Sequence, residues 1–294
     1  MTTIGVVVHT GKRLGSGPGA LRSALADAGV TEPYWSEVPK SKKAPKHVRE
    51  LLDAGVDRLL VWGGDGTVRR CIDTIIAENA KIEVAILPAG TANLLARAVA
   101  VPADLDQAVD IAVNGVPRPI DVGVINSKAF AVMAGTGFDA RMIRDTDTAA
   151  KNRMGWWSYL RAGVRNLGEV GTAVTVDVDG ERWFEGAASC VLVGNVGRIL
   201  GGVSVFPAAR FDDGRLDVGV LTARSRVEWL RVGLRAVVGR TDASPFVDMT
   251  QATTVTVHLD DKMPWQLDGS ARSPAKSFEV SVLPARVPIL MAAT

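Results

Sequence analysis

Over the first 118 residues, short wholly apolar runs alternate with stretches whose apolar residues recur every three or four positions. The runs Ile4–Val8, Arg58–Trp62 and Glu83–Leu87 read as buried strands. Between them Leu21, Leu25 and Ala28 share one helix face, ended by Gly29. Val48, Leu51 and Leu52 mark a second helix that closes near Gly55, and Val68, Ile72, Ile75 and Ile76 mark a third. Asp104 is placed to cap a fourth, carrying Leu105, Val109, Ala112 and Val113. Strands that alternate with helices predict a mostly parallel sheet.

Beyond residue 118 the period changes. Ile120–Ile125 and Ala129–Met133 read as strands joined by a short turn, and residues 149–168 as one helical segment with Trp156, Trp157, Leu160 and Val164 on one side. A Trp pair at this spacing belongs to a core or, alternatively, to a membrane interface. From residue 173 the pattern is β: Ala173–Val178, Ser189–Val193, Leu216–Leu221, Thr253–Leu259, Trp265–Leu267 and Phe278–Leu283. Asp179-Gly180 is a hairpin signal, and one helix, Val227–Val238, interrupts the series. The expected organisation is an α/β domain over residues 1–118 and an antiparallel β-sandwich over 119–283. The apolar run Val287–Met291 is expected to pack back, so that 284–294 completes the first domain.

Composition narrows the function. Of 294 residues, 47% are hydrophobic and 22% charged, as in soluble globular proteins, and a net charge of +2 gives no global signal for nucleic acid. Cys71 and Cys190 lie in apolar stretches without metal-ligand spacing and read as buried thiols of a reducing compartment. The N-terminus lacks the apolar core of a signal peptide, and no stretch approaches the roughly 18 uninterrupted apolar residues of a spanning helix. A cytoplasmic protein is expected, one that meets any lipid from the surface.

Candidate chemistry gathers where strands meet helices. The run Arg58–Trp62 stops at Gly63-Gly64-Asp65-Gly66-Thr67 and a helix follows. Glycines let a ligand approach the main chain, successive amides make an anion cradle, and the helix start adds its positive end. Asp65 would repel a bare phosphate there, so it is assigned to a metal or to a substrate hydroxyl. A second turn, Pro88-Ala89-Gly90-Thr91-Ala92-Asn93, opens the helix Leu94–Arg97. Two such turns on neighbouring parallel strands would face one crevice. The glycine-studded Gly11–Gly19 is a third phosphate loop or a flexible connector; it has neither the Walker nor the Rossmann spacing. The basic run Lys40–Lys46 is a solvated helix entrance or an attractor of phosphate or of an anionic membrane.

Taken together, these motifs resemble the catalytic family of the diacylglycerol kinases, with its bacterial lipid kinase and sphingosine kinase relatives. Gly63–Thr67 is similar to that family's nucleotide loop, Pro88–Asn93 to its second loop, and Ile120-Asp121-Val122-Gly123 to the segment entering the second domain. Gly135-Thr136-Gly137-Phe138-Asp139, Asn195, Gly201-Gly202, and Pro207 through Asp213-Gly214-Arg215-Leu216 follow in the family's order. Gln266-Leu267-Asp268-Gly269 stands where the family carries a Leu-Asp-Gly-Glu.

The resemblance implies a first domain of the NAD kinase and phosphofructokinase kind. It implies ATP- and Mg2+-dependent phosphorylation of diacylglycerol or a related lipid alcohol, in a cleft between two domains, by a protein peripheral to the membrane. Gly63, Gly64, Gly66, Thr67, Val68, Arg69 and Arg70, with Gly90, Thr91 and Asn93, would hold the nucleotide. Asp65 would position magnesium or the reacting hydroxyl, with Asp121 supporting it indirectly. A structural magnesium would sit on Asp213 and the main-chain carbonyls of Arg210 and Arg215; without the family, Asp212-Asp213-Gly214 reads as a plain hairpin turn. A homodimer is left open. Two departures stand out. His9-Thr10-Gly11 occupies the place of the family's Asn-Pro, and Ser270 occupies that of the glutamate taken as the base in the bacterial members. A serine hydroxyl is too weakly basic to replace that carboxylate, so Asp65 is the first choice of base and Asp268 the second. The alternative is a catalytically weak or inactive nucleotide- or lipid-binding protein of the same fold.

Overall fold

The computed structural model describes residues 2–137, 171–199 and 202–293. The expected helix over 149–168, with its Trp pair, lies outside the described residues, as do Phe138, Asp139 and Gly201. The chain divides into two compact units, Met1–Ile120 with Ala285–Thr294, and Asp121–Pro284.

The first unit is built from strands β1 (Ile4–His9), β2 (Tyr34–Val38), β3 (Arg58–Gly63) and β4 (Glu83–Pro88). Its helices are α1 (Pro18–Asp27), α2 (Ala44–Asp53), α3 (Asp65–Ala77), α4 (Leu94–Ala98) and α5 (Leu105–Asn114). The sheet order is β4-β3-β1-β2, every pair parallel. Val6–Val8, Leu59–Trp62 and Val84–Leu87 are all buried, because helices cover both faces and leave no side of the strand to water. Right-handed crossovers send α1 to one face and α2 and α3 to the other; accordingly α2 packs on α3, and α1 on α5. The chain leaves β1 and β3 toward opposite faces, which makes their C-terminal ends the switch point where open α/β sheets bind ligands. Asp104 caps α5, its carboxylate accepting from the Gln107 amide.

The edge strand β2 has no sequence signal: Tyr34-Trp35-Ser36-Glu37-Val38 alternates in neither period, and only Val38 is buried. The terminal run Val287–Met291 is the end of a 22-residue strand, β14 (Ser270–Met291), whose Ile289 pairs in parallel with Val84 of β4.

The second unit is antiparallel. It contains the end of β5 (Val116–Ile125), then β6 (Lys128–Phe130), β7 (Met133–Gly137), β8 (Thr172–Val178), β9 (Glu181–Ala188) and β10 (Cys190–Gly194). There follow β11 (Leu216–Leu221), helix α6 (Arg226–Val237), β12 (Val247–Ala252), β13 (Thr254–Leu267) and the first part of β14. The order runs β12-β11-β10-β7-β13-β14, and β8 joins β13 and β9. Thr253–Leu259 and Trp265–Leu267, read from sequence as two strands, are one. Register shifts near Met263 bend β13, so that Val255–Leu259 pair with β8 and Trp265–Leu267 with β7. Ala129–Met133, read as one strand, is divided between β6 and β7. Asp179 and Gly180 have φ of 51° and 90°, the two positive values that a type I′ hairpin requires. The core is the β-sheet set around Phe130, Val218, Val257, Leu267 and Phe278, with a second cluster of Leu192, Phe206, Leu221 and Val232 beneath α6.

Candidate active site

In the first unit, β3 and β4 are adjacent and pair up to Gly63 and Pro88, so both glycine turns emerge side by side at the C-terminal edge of the sheet. They touch through their glycines. A Cβ on Gly90 would lie 2.4 Å from the Gly64 Cα, and one on Gly64 would lie 3.0 Å from the Gly90 Cα. A Cβ on Gly63 would lie 2.6 Å from the Thr67 Cβ, where α3 turns back over the strand. Gly64 and Gly90 are therefore demanded by the close approach of two backbones and Gly63 by the Thr67 side chain, before any ligand is considered.

Asp65 ties the two turns. It is the first residue of α3, and its Oδ1 accepts from the amides of Leu94 at 2.6 Å and Leu95 at 3.4 Å, in the first turn of α4. Burial raises its pKa, opposed by the amides of Leu94, Leu95 and Asn93. Asn93 adopts a left-handed conformation, φ 49°, and folds its own turn. Its Oδ1 accepts from the Gly90 amide at 2.9 Å, while its Nδ2 donates to the carbonyls of Gly90 and Pro88. Thr91 is exposed at the tip. Thr67 is buried, and its Oγ1 lies 2.9 Å from Ser41 Oγ. That contact holds the short basic segment carrying the exposed Lys40, Lys42 and Lys43 near the first turn of α3. The basic run alone could not show this, since nothing local points Ser41 at Thr67.

Among the residues expected to hold nucleotide, the structure separates two groups. Gly64, Gly66, Gly90 and Thr91 surround the paired turns with their backbone accessible to some degree. Val68 and Arg69 are 3% exposed, so their side chains face the interior. Arg70 is half-buried and donates from Nη1 to the Gly66 carbonyl at 2.8 Å, bracing the turn. In the loop after β1, His9 Nδ1 accepts from the Gly11 amide, and burial, then the Lys12 charge, lowers its pKa. Trp62, fully buried, donates from Nε1 to the Lys12 carbonyl and so anchors this loop on β3.

The other candidates lie in the second unit. Asp268 and Gly269, φ 43° and 73°, form a two-residue turn between β13 and β14. The Asp268 carboxylate is 9% exposed at the residue level and accepts from three amides: Ala131 to Oδ2, and Val132 and Met133 to Oδ1. Ser270 follows at the start of β14. Asp121 is 2% exposed and accepts from the Gly214 amide at 2.6 Å, while its own amide donates to the Phe211 carbonyl. Asn195, wholly buried, donates from Nδ2 to the carbonyls of Asp121 and Ala131. Asp121 thus pins the 211–214 turn. Asp213 Oδ1 accepts from the Arg215 amide, and Asp213 and Asp217 both stand 3.4–3.5 Å from Gln251 Nε2. Burial first, then proximity to Asp213, pushes Asp217 up to about 6 against the pull of Gln251. Among the described residues, no three His, Cys, Asp or Glu side chains converge as a metal-ligand group.

Comparison with known proteins gives a consistent result. Residues 10–125 match the diacylglycerol kinase catalytic domain, and residues 132–291 the YegS C-terminal NAD kinase beta sandwich-like domain. The diacylglycerol kinase of Bacillus subtilis (strain 168) is 30% identical over 215 residues, 72% of this chain and 71% of that one. A probable YegS-like lipid kinase of Klebsiella pneumoniae (strain 342) is 30% identical over 244 residues, 82% and 80% of the two chains. Among solved structures, a diacylglycerol kinase from Bacillus anthracis str. Sterne superposes with TM-score 0.80 at 22% identity, covering 98% of this chain and 96% of that one. An NAD kinase from Archaeoglobus fulgidus in complex with ATP gives TM-score 0.51 at 12% identity, covering 99% and 94%. At those identities the structures speak for the fold alone.

Proposed function

The chain belongs to the diacylglycerol kinase catalytic-domain family, phosphotransferases with an alcohol acceptor, and on that premise we propose that it moves the γ-phosphoryl group of ATP to the hydroxyl of diacylglycerol or a related lipid alcohol. The observation that carries this reading is the contact of the two glycine turns at Gly64 and Gly90, with Asp65 spanning them at the switch point of a parallel sheet. Gly63, Gly64, Gly66 and Thr67, with Gly90, Thr91 and Asn93, shape a main-chain cradle for phosphate oxygens. Phosphoryl transfer asks the protein chiefly for positioning and charge stabilisation, and such a cradle, with Lys40, Lys42 and Lys43 beside it, supplies both.

Asp65 is the proposed base. Oδ1 is occupied by the Leu94 and Leu95 amides, which fix the carboxylate's orientation. Burial raises its basicity toward what a hydroxyl proton requires. Asp268 is the weaker candidate, since it is only 9% exposed and amides occupy both of its oxygens. The magnesium assignment is tested by the donors at 210–215. Asp213 Oδ1 accepts from the Arg215 amide, while Asp213 Oδ2 and Asp217 have contacts to Gln251 that are long for a hydrogen bond; carboxylate with main-chain carbonyls is an all-oxygen set that suits a hard ion. We assign Asp213 and the carbonyls of Arg210 and Arg215 to such an ion, with Asp121 acting through the Gly214 amide. Magnesium bound with the nucleotide would neutralise phosphate charge.

The test is lipid-dependent transfer of labelled γ-phosphate in mixed micelles, over a panel of lipid alcohols with NAD included. Transfer to a lipid alcohol supports the reading; transfer to none removes it. Ser270 favours a second reading, a nucleotide- or lipid-binding protein with little turnover. Under that reading ATP or lipid raises the melting temperature while no phosphate moves, and Ser270→Glu brings turnover up.

A further inference from the structure

Helix α6 has two apolar faces, and among the described residues only one is covered. Trp229 and Val232 pack into the cluster of Leu192, Phe206 and Leu221, and Ala236, on the same side of the helix, is buried. On the other side Val227, Leu230, Leu234, Val237 and Val238 are 57%, 59%, 60%, 60% and 68% exposed. At about 100° per residue these five fall within an arc of roughly 100°, a continuous stripe along three turns. The outward face of a solvated helix is ordinarily polar; here it is the most apolar exposed surface among the described residues. Elsewhere among the described residues only Tyr34 and Val116 add large exposed hydrophobic side chains.

The shoulders of the stripe are basic. Arg231 and Arg235 flank it on one side and Arg226 on the other, with Arg240 just past its C-terminal end. No ion pair between described residues involves Arg226, Arg231 or Arg240. The acid of the helix, Glu228, is consumed in a capping box with Ser225, its carboxylate accepting from the amides of Arg224 and Ser225. This distribution selects the occupant. A second copy packed across a two-fold axis would bring arginine shoulders against arginine shoulders. A neutral apolar partner would leave them unanswered. An anionic bilayer accepts the stripe at its acyl boundary and the guanidinium groups among its phosphates.

We propose that the outer face of α6 docks this protein on anionic membrane surfaces. The stripe supplies insertion, and Arg226, Arg231 and Arg240 supply selectivity for negative lipid headgroups. The measurement is sedimentation of the full chain with sucrose-loaded vesicles, either pure phosphatidylcholine or phosphatidylcholine with three-tenths phosphatidylglycerol. The expected result is binding to the mixed vesicles, weakened at least tenfold on pure phosphatidylcholine and reduced by salt. Leu230→Glu with Leu234→Glu should lower binding at least tenfold, and Arg226→Gln with Arg231→Gln about fivefold for each charge removed, on anionic vesicles only. Circular dichroism and melting of each variant confirm that the exposed changes leave the fold intact. No binding by the parent chain, or binding unaltered by the leucine changes, overturns the proposal. So does a parent dimer, seen by light scattering, that the leucine changes convert to monomer without altering vesicle binding. Because the readout is binding, it stands or falls apart from any transfer of phosphate.

Discussion

Asp65 and Asp268 both lay a carboxylate across main-chain amides of another segment, yet the two arrangements leave different chemistry. Asp65 gives Oδ1 to two amides at the start of α4 and remains half-buried at the edge of a sheet where three strand-end loops gather. Asp268 gives both oxygens to three consecutive amides and is itself held in a left-handed turn whose amide donates to the Met133 carbonyl. The first arrangement orients a carboxylate while leaving it able to act. The second uses its carboxylate as a rivet joining the β13–β14 turn to the link between β6 and β7. An acid in a glycine turn thus tells little by itself; the exposure left to the residue, intermediate at Asp65 and 9% at Asp268, separates a reagent from a fastener.

The widest separation should appear in turnover. Asp65→Asn keeps an amide-accepting oxygen but loses the base, so kcat for lipid phosphorylation should drop about 10²–10⁴-fold, with little change in melting temperature. Unaltered kcat would break the comparison from its catalytic side. Asp268→Ala should act in the opposite register. Three buried amides lose their acceptor, at about 1–3 kcal/mol each when unsatisfied, so chemical denaturation should show a loss of at least roughly 3 kcal/mol. Destabilisation under 1 kcal/mol would mean that Asp268 is not a fastener. Gly90→Ala comes next. Its Cβ would fall 2.4 Å from the Gly64 Cα, so the turns must separate; about 1–3 kcal/mol of stability should go, together with ATP affinity measured by calorimetry.

The finest test is pH. Burial raises the Asp65 pKa above its ordinary value of 3.8, so between that value and the raised one the folded chain binds the extra proton. Stability from this group therefore falls as pH rises through that window and levels above it. Asp65→Asn should remove this slope from the melting curves. In the parent enzyme the same group predicts that kcat falls as pH drops through the raised pKa.

Much of this was legible along the chain. The parallel sheet follows from three apolar runs spaced by helical periods, because a strand covered on both faces has no polar positions to alternate. The contact of the two turns was legible in outline, since consecutive strand–helix units place their turns on one edge of a sheet. The turn at Asp179-Gly180 and the cap at Asp104 are local chemistry and were readable as such. What escaped were elements whose neighbours define them. Strand β2 lies at an edge with one buried residue, and β9 exists because β8 folds back on it. The bend that lets β13 serve two partners is a register shift and carries no signal in composition.

The sequence alone determined the glycines and the acid of the site, the succession of strands and helices apart from elements such as β2 and β9, and the change of pattern near residue 118. These depend on backbone angles, capping and side-chain alternation, all settled within a few residues. Only the tertiary structure decided what the residues do for one another. Gly90 answers Gly64, Ser41 meets Thr67, Asp268 is spent on amides more than 130 positions away, and one face of α6 is left apolar and exposed among the described residues. Such partners are chosen by proximity in space, which the packing of sheets and helices creates and no local run of residues encodes.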